Sequence, residues 1–235
     1  MSNSSAIAAE ALQKVPFFAG RSQAEMAVLA DRLVLRHFDA DQVIFHYGDP
    51  AGLLYVIIGG KVKITYSSPD GQEAVLAILG EGDFFGELAL LDDSPRSATA
   101  ATIESTETLT LHRDEFLNYI DSNPAFARHV LHILAKRIRH LNKQVSDIFF
   151  LDLPARLART ILLLAEQHGE PAADGTLITI SLTQTDLAEM TGATRVSINK
   201  ALGRFRRAGW VRVDGRHLTV LKRSALEHLI HISGG

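Results

Sequence analysis

The sequence predicts an α+β protein in three consecutive parts: a strand-rich N-terminal roll, one long amphipathic helix, and a small C-terminal domain built on a helix pair and a hairpin. Three observations predict it. Between residues 33 and 112 short β-rich runs alternate with turn clusters; between 123 and 149 apolar residues recur at alternating steps of four and three; beyond 183 two short helical patterns flank a glycine and precede a hairpin signature.

The expected strands are 33–38, 42–47, 53–58, 61–66, 73–79, 97–104 and 107–111, punctuated by Asp49-Pro50, Gly59-Gly60 and Pro69-Asp70-Gly71. Closely spaced strands with turn signals between them are the pattern of a small antiparallel barrel or jelly roll. Ahead of them, residues 9–31 read as short helices broken around Pro16 and Gly20, with Ser22 placed as an N-cap. Residues 113–120 read as a short helix, and Asn123-Pro124 opens the long one. There Ala127, Leu131, Leu134, Ile138, Leu141, Val145 and Ile148 form a heptad seam, while Arg128, Lys136, Arg139, Lys143 and Asp147 occupy the opposite face. Such a stripe fits either packing against its own domain or a two-helix coiled coil; the polar opposite face favours the coil and hence a homodimer. Residues 151–154 make a short break expected to act as a hinge, 155–167 an apolar helix, and 169–175 a loop.

At 235 residues with 46% hydrophobic side chains, the chain can bury two modest cores. Cysteine is absent, which excludes disulfides, thiolate nucleophiles, Cys-ligated zinc, iron–sulfur clusters and a Cys haem ligand. The first ten residues lack the basic start and apolar centre of a secretory leader, and no apolar run is long enough to span a bilayer; a cytoplasmic protein with no membrane partner is expected. The formal net charge of −3 hides a segregation. Residues 183–223 hold nine basic against three acidic residues, a surplus of six that leaves about −9 for the rest. A basic C-terminal segment on an acidic body is the electrostatic footprint of double-stranded DNA binding. No catalytic triad, carboxylate pair or phosphate loop has workable spacing, so no enzyme is expected. His129 and His132, like His228 and His231, stand three apart on helical patterns. They read as solvated helix-face histidines, and no metal is expected.

Two motifs carry the chemistry. In Phe85-Gly86-Glu87-Leu88-Ala89-Leu90-Leu91-Asp92-Asp93-Ser94-Pro95-Arg96-Ser97-Ala98 a lone carboxylate and a lone guanidinium sit inside an apolar, turn-rich segment. Glu87 offers acceptors for a sugar hydroxyl, Arg96 a planar fork of donors for phosphate oxygens, and Ser97 a neighbouring hydroxyl. Gly86 allows close approach to the main chain, and Pro95 stiffens the turn. The bland alternative for Glu87 and Arg96 is an internal salt bridge in a bend. The second motif runs from Thr183 to Leu202: Thr183 caps a first helix, Ala188 is small where helices touch, Gly192 takes the turn, and Thr194 caps a second helix exposing Arg195, Val196, Asn199 and Lys200. The hairpin around Asp214-Gly215 then supplies a wing.

Residues 85–98 resemble the phosphate-binding cassette of cyclic-nucleotide-binding domains. With the long helix and the winged helix-turn-helix, the chain from about residue 9 to 232 resembles the cyclic-AMP receptor protein and fumarate-nitrate regulator (CRP/FNR) family of transcription factors. The resemblance implies an effector-binding β-roll over 1–123, a dimerisation helix and hinge over 124–150, and a winged helix-turn-helix over 151–235. It implies cAMP as effector, with cGMP, a cyclic dinucleotide or no ligand as alternatives, and no haem or iron–sulfur cluster. Glu87 would accept the ribose 2′-hydroxyl and Arg96 would pair the cyclic phosphate with Ser97. Gly86, Leu88 and Ala98 would shape the cradle, and Leu141 and Asn142 stand where the family meets the adenine. Leu141 cannot hydrogen-bond there, whereas Asn142 can. In the reading helix Arg195 would pair guanine, Val196 replaces a carboxylate and suits a thymine methyl, and Lys200 serves guanine or phosphate. Thr183, Thr185, Thr194 and Arg216 would contact phosphates. A palindromic operator and a contact with RNA polymerase around 167–176 follow from the same resemblance. An effector touching both roll and dimer helix would change the spacing of the reading helices. A cyclic-nucleotide-binding module with no DNA role is the contrasting class, which the basic winged helix disfavours.

Overall fold

The computed structural model describes residues 31–233, and the chain divides into two compact units, Met1–Lys136 and Arg137–Gly235. The helices expected across residues 9–31 lie almost wholly outside the described residues.

In the first unit the elements in order are β1 (Val34–Phe38), β2 (Val43–Phe45), β3 (Leu53–Gly59), β4 (Val62–Ser67), β5 (Glu73–Leu79), β6 (Phe84–Phe85), α1 (Leu88–Leu91), β7 (Thr99–Thr102), β8 (Thr106–His112) and α2 (Arg113–Ser122), followed by the start of α3 (Pro124–Phe150). The strands form two four-stranded antiparallel sheets, ordered β1-β8-β3-β6 and β2-β7-β4-β5. Each strand expected from the sequence is present, with β2 and β7 shorter than their apolar runs. The two-residue β6 and the one-turn α1 were not expected, because neither is long enough to show a period.

Alternation along β3 decides which side chains face which core. Leu54 and Val56 join Phe84, Leu109 and Leu111 in a cluster with Phe116, Phe126 and Val130 of α2 and α3. Tyr55 and Ile57 point the other way, joining Phe85 with Val62 and Ala100 of the second sheet. Tyr55 is thereby set opposite Phe85 across the β3–β6 pairing.

The heptad seam of α3 divides. Leu134 packs against the first unit's core, whereas Leu131, Ile138, Leu141, Val145 and Ile148 are exposed, Ile138 at 58%. Phe149 and Phe150 are exposed beside them.

The second unit continues with α4 (Leu153–His168), β9 (Gly169–Ala172), β10 (Gly175–Ile178), α5 (Gln184–Thr191), α6 (Arg195–Arg207), β11 (Val211–Asp214), β12 (His217–Val220) and α7 (Arg223–Ser233). The break expected over 151–154 is shorter. Asp152 caps α4 through a 2.9 Å bond from the Ala155 N–H, and Pro154 fits the first turn, where its missing N–H costs nothing. Arg156 donates to the Ile148 carbonyl of α3 at 3.4 Å and to that of Leu151, just past the helix, at 3.1 Å, and Arg159 pairs with Asp147 at 3.1 Å. The junction is therefore tied by charged side chains rather than slack.

The loop expected over 169–175 is instead the hairpin β9–β10, which extends the wing into a sheet ordered β11-β12-β10-β9. Gly169, Pro171 and Gly175 read as breakers in sequence, yet Pro171 sits on the edge strand, where the ladder tolerates it. A Cβ on Gly175 would lie 2.0 Å from the Val220 carbonyl oxygen, so that glycine serves strand approach. Helix α7, anticipated in the sequence only by the helical spacing of His228 and His231, packs against α4 and buries Leu226. His132, His228 and His231 are exposed and His129 is half-buried. No group of three His, Asp or Glu among the described residues could hold a metal ion. None of the described helices is long and apolar enough to cross a membrane.

A candidate anion pocket and a candidate nucleic-acid interface

Glu87 and Arg96 are the charged side chains buried in the roll, at 3% and 4% exposure. Burying charge is expensive unless it is paired or hydrogen-bonded, and the local fold supplies the partners for Arg96. Its Nη1 donates to the Gly86 carbonyl and its Nη2 to the Leu53 carbonyl, both at 2.8 Å. The backbone N–H of Arg96 donates to Asp49 O and its carbonyl accepts from Gly48 N–H, each at 2.9 Å. The guanidinium carbon lies 4.2 Å above the Phe45 ring and 5.7 Å from that of Tyr55. The Nε atom is buried with no hydrogen-bond acceptor among the described residues. Burial lowers the Arg96 pKa, opposed by Tyr55, Asp49 and Glu87, and burial pushes the Tyr55 phenol up, so Tyr55 is neutral at ordinary pH. The guanidinium offers Nε–H and the second hydrogens of its terminal nitrogens to an anion.

Gly86 has φ +81, a conformation glycine adopts freely and other residues do not. An added Cβ would lie 2.5 Å from Arg96 Nη1 and 3.2 Å from the Leu53 carbonyl oxygen. Gly86→Ala is therefore expected to displace the guanidinium, lowering cyclic-nucleotide affinity at least about tenfold by calorimetry and stability by about 1–3 kcal/mol in urea unfolding. Glu87 starts α1, its carbonyl accepting from Leu90 and Leu91 N–H at 3.0 Å. The following loop is shaped by Asp92 accepting from Ser94 N–H at 3.1 Å and by Asp93 pairing with Arg113 at 3.0 Å. Ser97 and Leu88 are exposed and Ala98 is buried. Gly86, Glu87 and Arg96 are brought together; Leu141 and Asn142 are exposed on α3, within the second compact unit. Phe45, Leu53 and Tyr55 also build this site and were not picked out in the sequence, and Phe85, the first residue of the cassette, was given no role there. Inward aromatic positions on strands were the available signal, but they read equally as core.

In the second unit Thr183 and Asp186 form a capping box on α5. The Thr183 hydroxyl donates to Asp186 Oδ2 at 2.6 Å, which commits its single hydrogen. Thr185 is the exposed hydroxyl of that turn. Gly192 takes the left-handed turn, φ +63, and Thr194 caps α6 by accepting from Ser197 N–H at 3.2 Å. Ile198, Ala201, Leu202 and Phe205 bury one face of α6, leaving Arg195, Val196, Asn199 and Lys200 exposed on the other, Val196 at 65%. Thr183, Thr185, Arg195 and Arg216 line one groove of about 370 Å³ between the start of α5, α6 and the β11–β12 turn. Val196, Asn199 and Lys200 lie outside that lining.

A roll with a buried arginine cassette, followed in the same chain by an exposed winged helix-turn-helix, is the architecture of a transcription regulator with its own sensing domain. Residues 35–123 match the cyclic nucleotide-binding domain family and residues 155–229 the Crp-like helix-turn-helix domain family. The chain is 36% identical over 211 residues to the CRP-like cAMP-activated global transcriptional regulator of Mycobacterium tuberculosis, spanning 90% of this chain and 94% of that protein. It is 30% identical over 214 residues to the cyclic AMP receptor protein of Thermus thermophilus, spanning 91% and 96%. The c-di-GMP responsive global regulator CLP of Xanthomonas campestris shares the fold, with a TM-score of 0.73 at 23% identity over 85% of this chain and 99% of that one. The chain belongs to the CRP/FNR family of transcription regulators and is not an enzyme.

Proposed function

We propose that this protein is a homodimeric, sequence-specific DNA-binding regulator whose operator affinity is controlled by cAMP held in the β-roll. Residues 1–123 bind the effector, 124–150 pair two subunits, and 151–235 read a palindromic operator in the cytoplasm, with RNA polymerase as the further partner that family membership supports. The buried Arg96, with an Nε–H lacking an acceptor, carries the ligand assignment: a cyclic phosphate satisfies that donor and neutralises the charge. Names of the Mycobacterium and Thermus relatives support cAMP. In the pocket Glu87 takes the ribose hydroxyl, Ser97 completes the anion contacts, Gly86, Leu88 and Ala98 shape the cradle, and Leu141 and Asn142 meet the base. On DNA, Arg195, Val196, Asn199 and Lys200 face base edges and nearby phosphates, while Thr185, Thr194 and Arg216 hold the backbone; Thr183, first expected to join them, gives both its N–H and its hydroxyl hydrogen to Asp186 and serves instead to fix the start of α5.

One observation favours a second version. Arg96 also holds two main-chain carbonyls, so the cassette has a structural use without ligand. Fluorescence anisotropy on operator DNA, selected from a random pool with the protein, separates the two. A rise in affinity of at least about tenfold on adding cAMP supports effector control; equal affinity with and without cAMP supports the ligand-independent version. Arg195→Ala is expected to cost about tenfold or more on the selected site and little on random DNA.

A further inference from the structure

We infer that Phe45 is the positioning residue of the pocket: its ring fixes the plane of the Arg96 guanidinium and so the direction from which a phosphate can be bound. This rests on the reading of the roll as a cyclic-nucleotide pocket. The ring lies under the cation, its centroid 4.2 Å from the central carbon, with both terminal nitrogens drawn onto carbonyls of Gly86 and Leu53. Phe45 is itself held. Its centroid is 5.7 Å from that of Tyr55 and 5.8 Å from that of Phe85, and those two rings stack at 4.9 Å and 10°.

One short segment does both parts of the positioning. Phe45 ends β2 and covers the guanidinium, while Gly48 and Asp49, in the turn that follows, hold the Arg96 main chain. The turn is braced in its own right, His46 N–H donating to Asp49 Oδ2 at 2.8 Å and Tyr47 N–H to Thr99 Oγ1 at 3.0 Å. A guanidinium donates in its plane, and Nε–H is a buried in-plane donor without an acceptor among the described residues. The negative face of the ring also favours the cation against the burial that lowers its pKa. Lysine at position 96 has no plane to stack, so this ring makes arginine the fitting residue.

The test is a series at position 45 of the full-length protein: phenylalanine, then its mono-, di- and trifluorinated analogues, which keep the ring's shape while withdrawing charge from its face. Two quantities are read, the cAMP dissociation constant by calorimetry and the hydrogen-exchange rate of the Arg96 Nε–H by nitrogen-15 NMR, its signal identified by its loss in Arg96→Leu. Both are expected to rise stepwise, the dissociation constant by about three- to thirty-fold at the end of the series. Phe45→Tyr should retain wild-type values. Phe45→Leu should alter the preference between the two phosphorothioate diastereomers of cAMP, which a generally loosened core would not. Flat values across the fluorinated series overturn the inference. If the wild-type protein binds no cyclic nucleotide, the functional proposal fails instead, and exchange of the Nε–H alone decides the role of Phe45.

Discussion

Arg96→Leu is expected to raise the cAMP dissociation constant at least about 100-fold, since it removes two or more charge-assisted hydrogen bonds worth about 1.5–3 kcal/mol each. Calorimetry reads this directly. Leucine also leaves the carbonyls of Gly86 and Leu53 without the donors they now have at 2.8 Å, so a loss of about 2–4 kcal/mol in stability should accompany it. Urea unfolding followed at the first unit's aromatic residues measures that cost. Arg96→Lys separates charge from shape: an ammonium restores the cation but cannot bridge two carbonyls and stack on Phe45 at once, so affinity should stay low. The winged helix-turn-helix contains none of these contacts, and salt-dependent binding to random DNA should persist in both variants. Wild-type cAMP affinity in Arg96→Leu would remove the cassette from effector binding.

The second large effect concerns α3. Replacing both Ile138 and Val145 by Asp should convert a dimer to a monomer, raising the dimer dissociation constant more than about 1,000-fold by sedimentation equilibrium. Both side chains are exposed in the single chain, at 58% and 52%. Carboxylates there cost an isolated subunit little, whereas in a two-fold helix pair they face their own copies in an apolar seam. Thermal unfolding of the monomer should therefore remain cooperative. Affinity for a palindromic operator should collapse toward that for a half-site. A variant that sediments as a wild-type dimer would place the subunit interface elsewhere.

The roll, the long helix and the winged helix were legible because each repeats a period: two along the strands, alternating three and four along the seam, and a capped helix on either side of Gly192. The cassette was legible because Gly86, Glu87 and Arg96 stand close in sequence. Its aromatic floor was not, since Phe45 and Tyr55 come from other strands and any inward-facing aromatic reads as core. The hairpin at 169–178 was hidden for the opposite reason: Gly169, Pro171 and Gly175 are strong turn signals, and only the edge position of β9 and the closeness of Val220 turn them into strand residues. At the α3–α4 junction, Pro154 signals a break in sequence, while the folded chain uses it to start a helix that Asp152 caps.

The two carbonyls held by Arg96 have a consequence for how such chains are sorted by motif. Leu53 belongs to β3 and Gly86 to the bend that follows β6, and the guanidinium staples the two together through the protein's own atoms. A descendant that lost its effector would still unravel locally if it lost the arginine. Selection for folding alone can preserve the signature long after selection for signalling has lapsed. Phe45 is a poorer staple and a better witness, since a leucine there can fill the core but cannot hold a cation flat for an incoming phosphate.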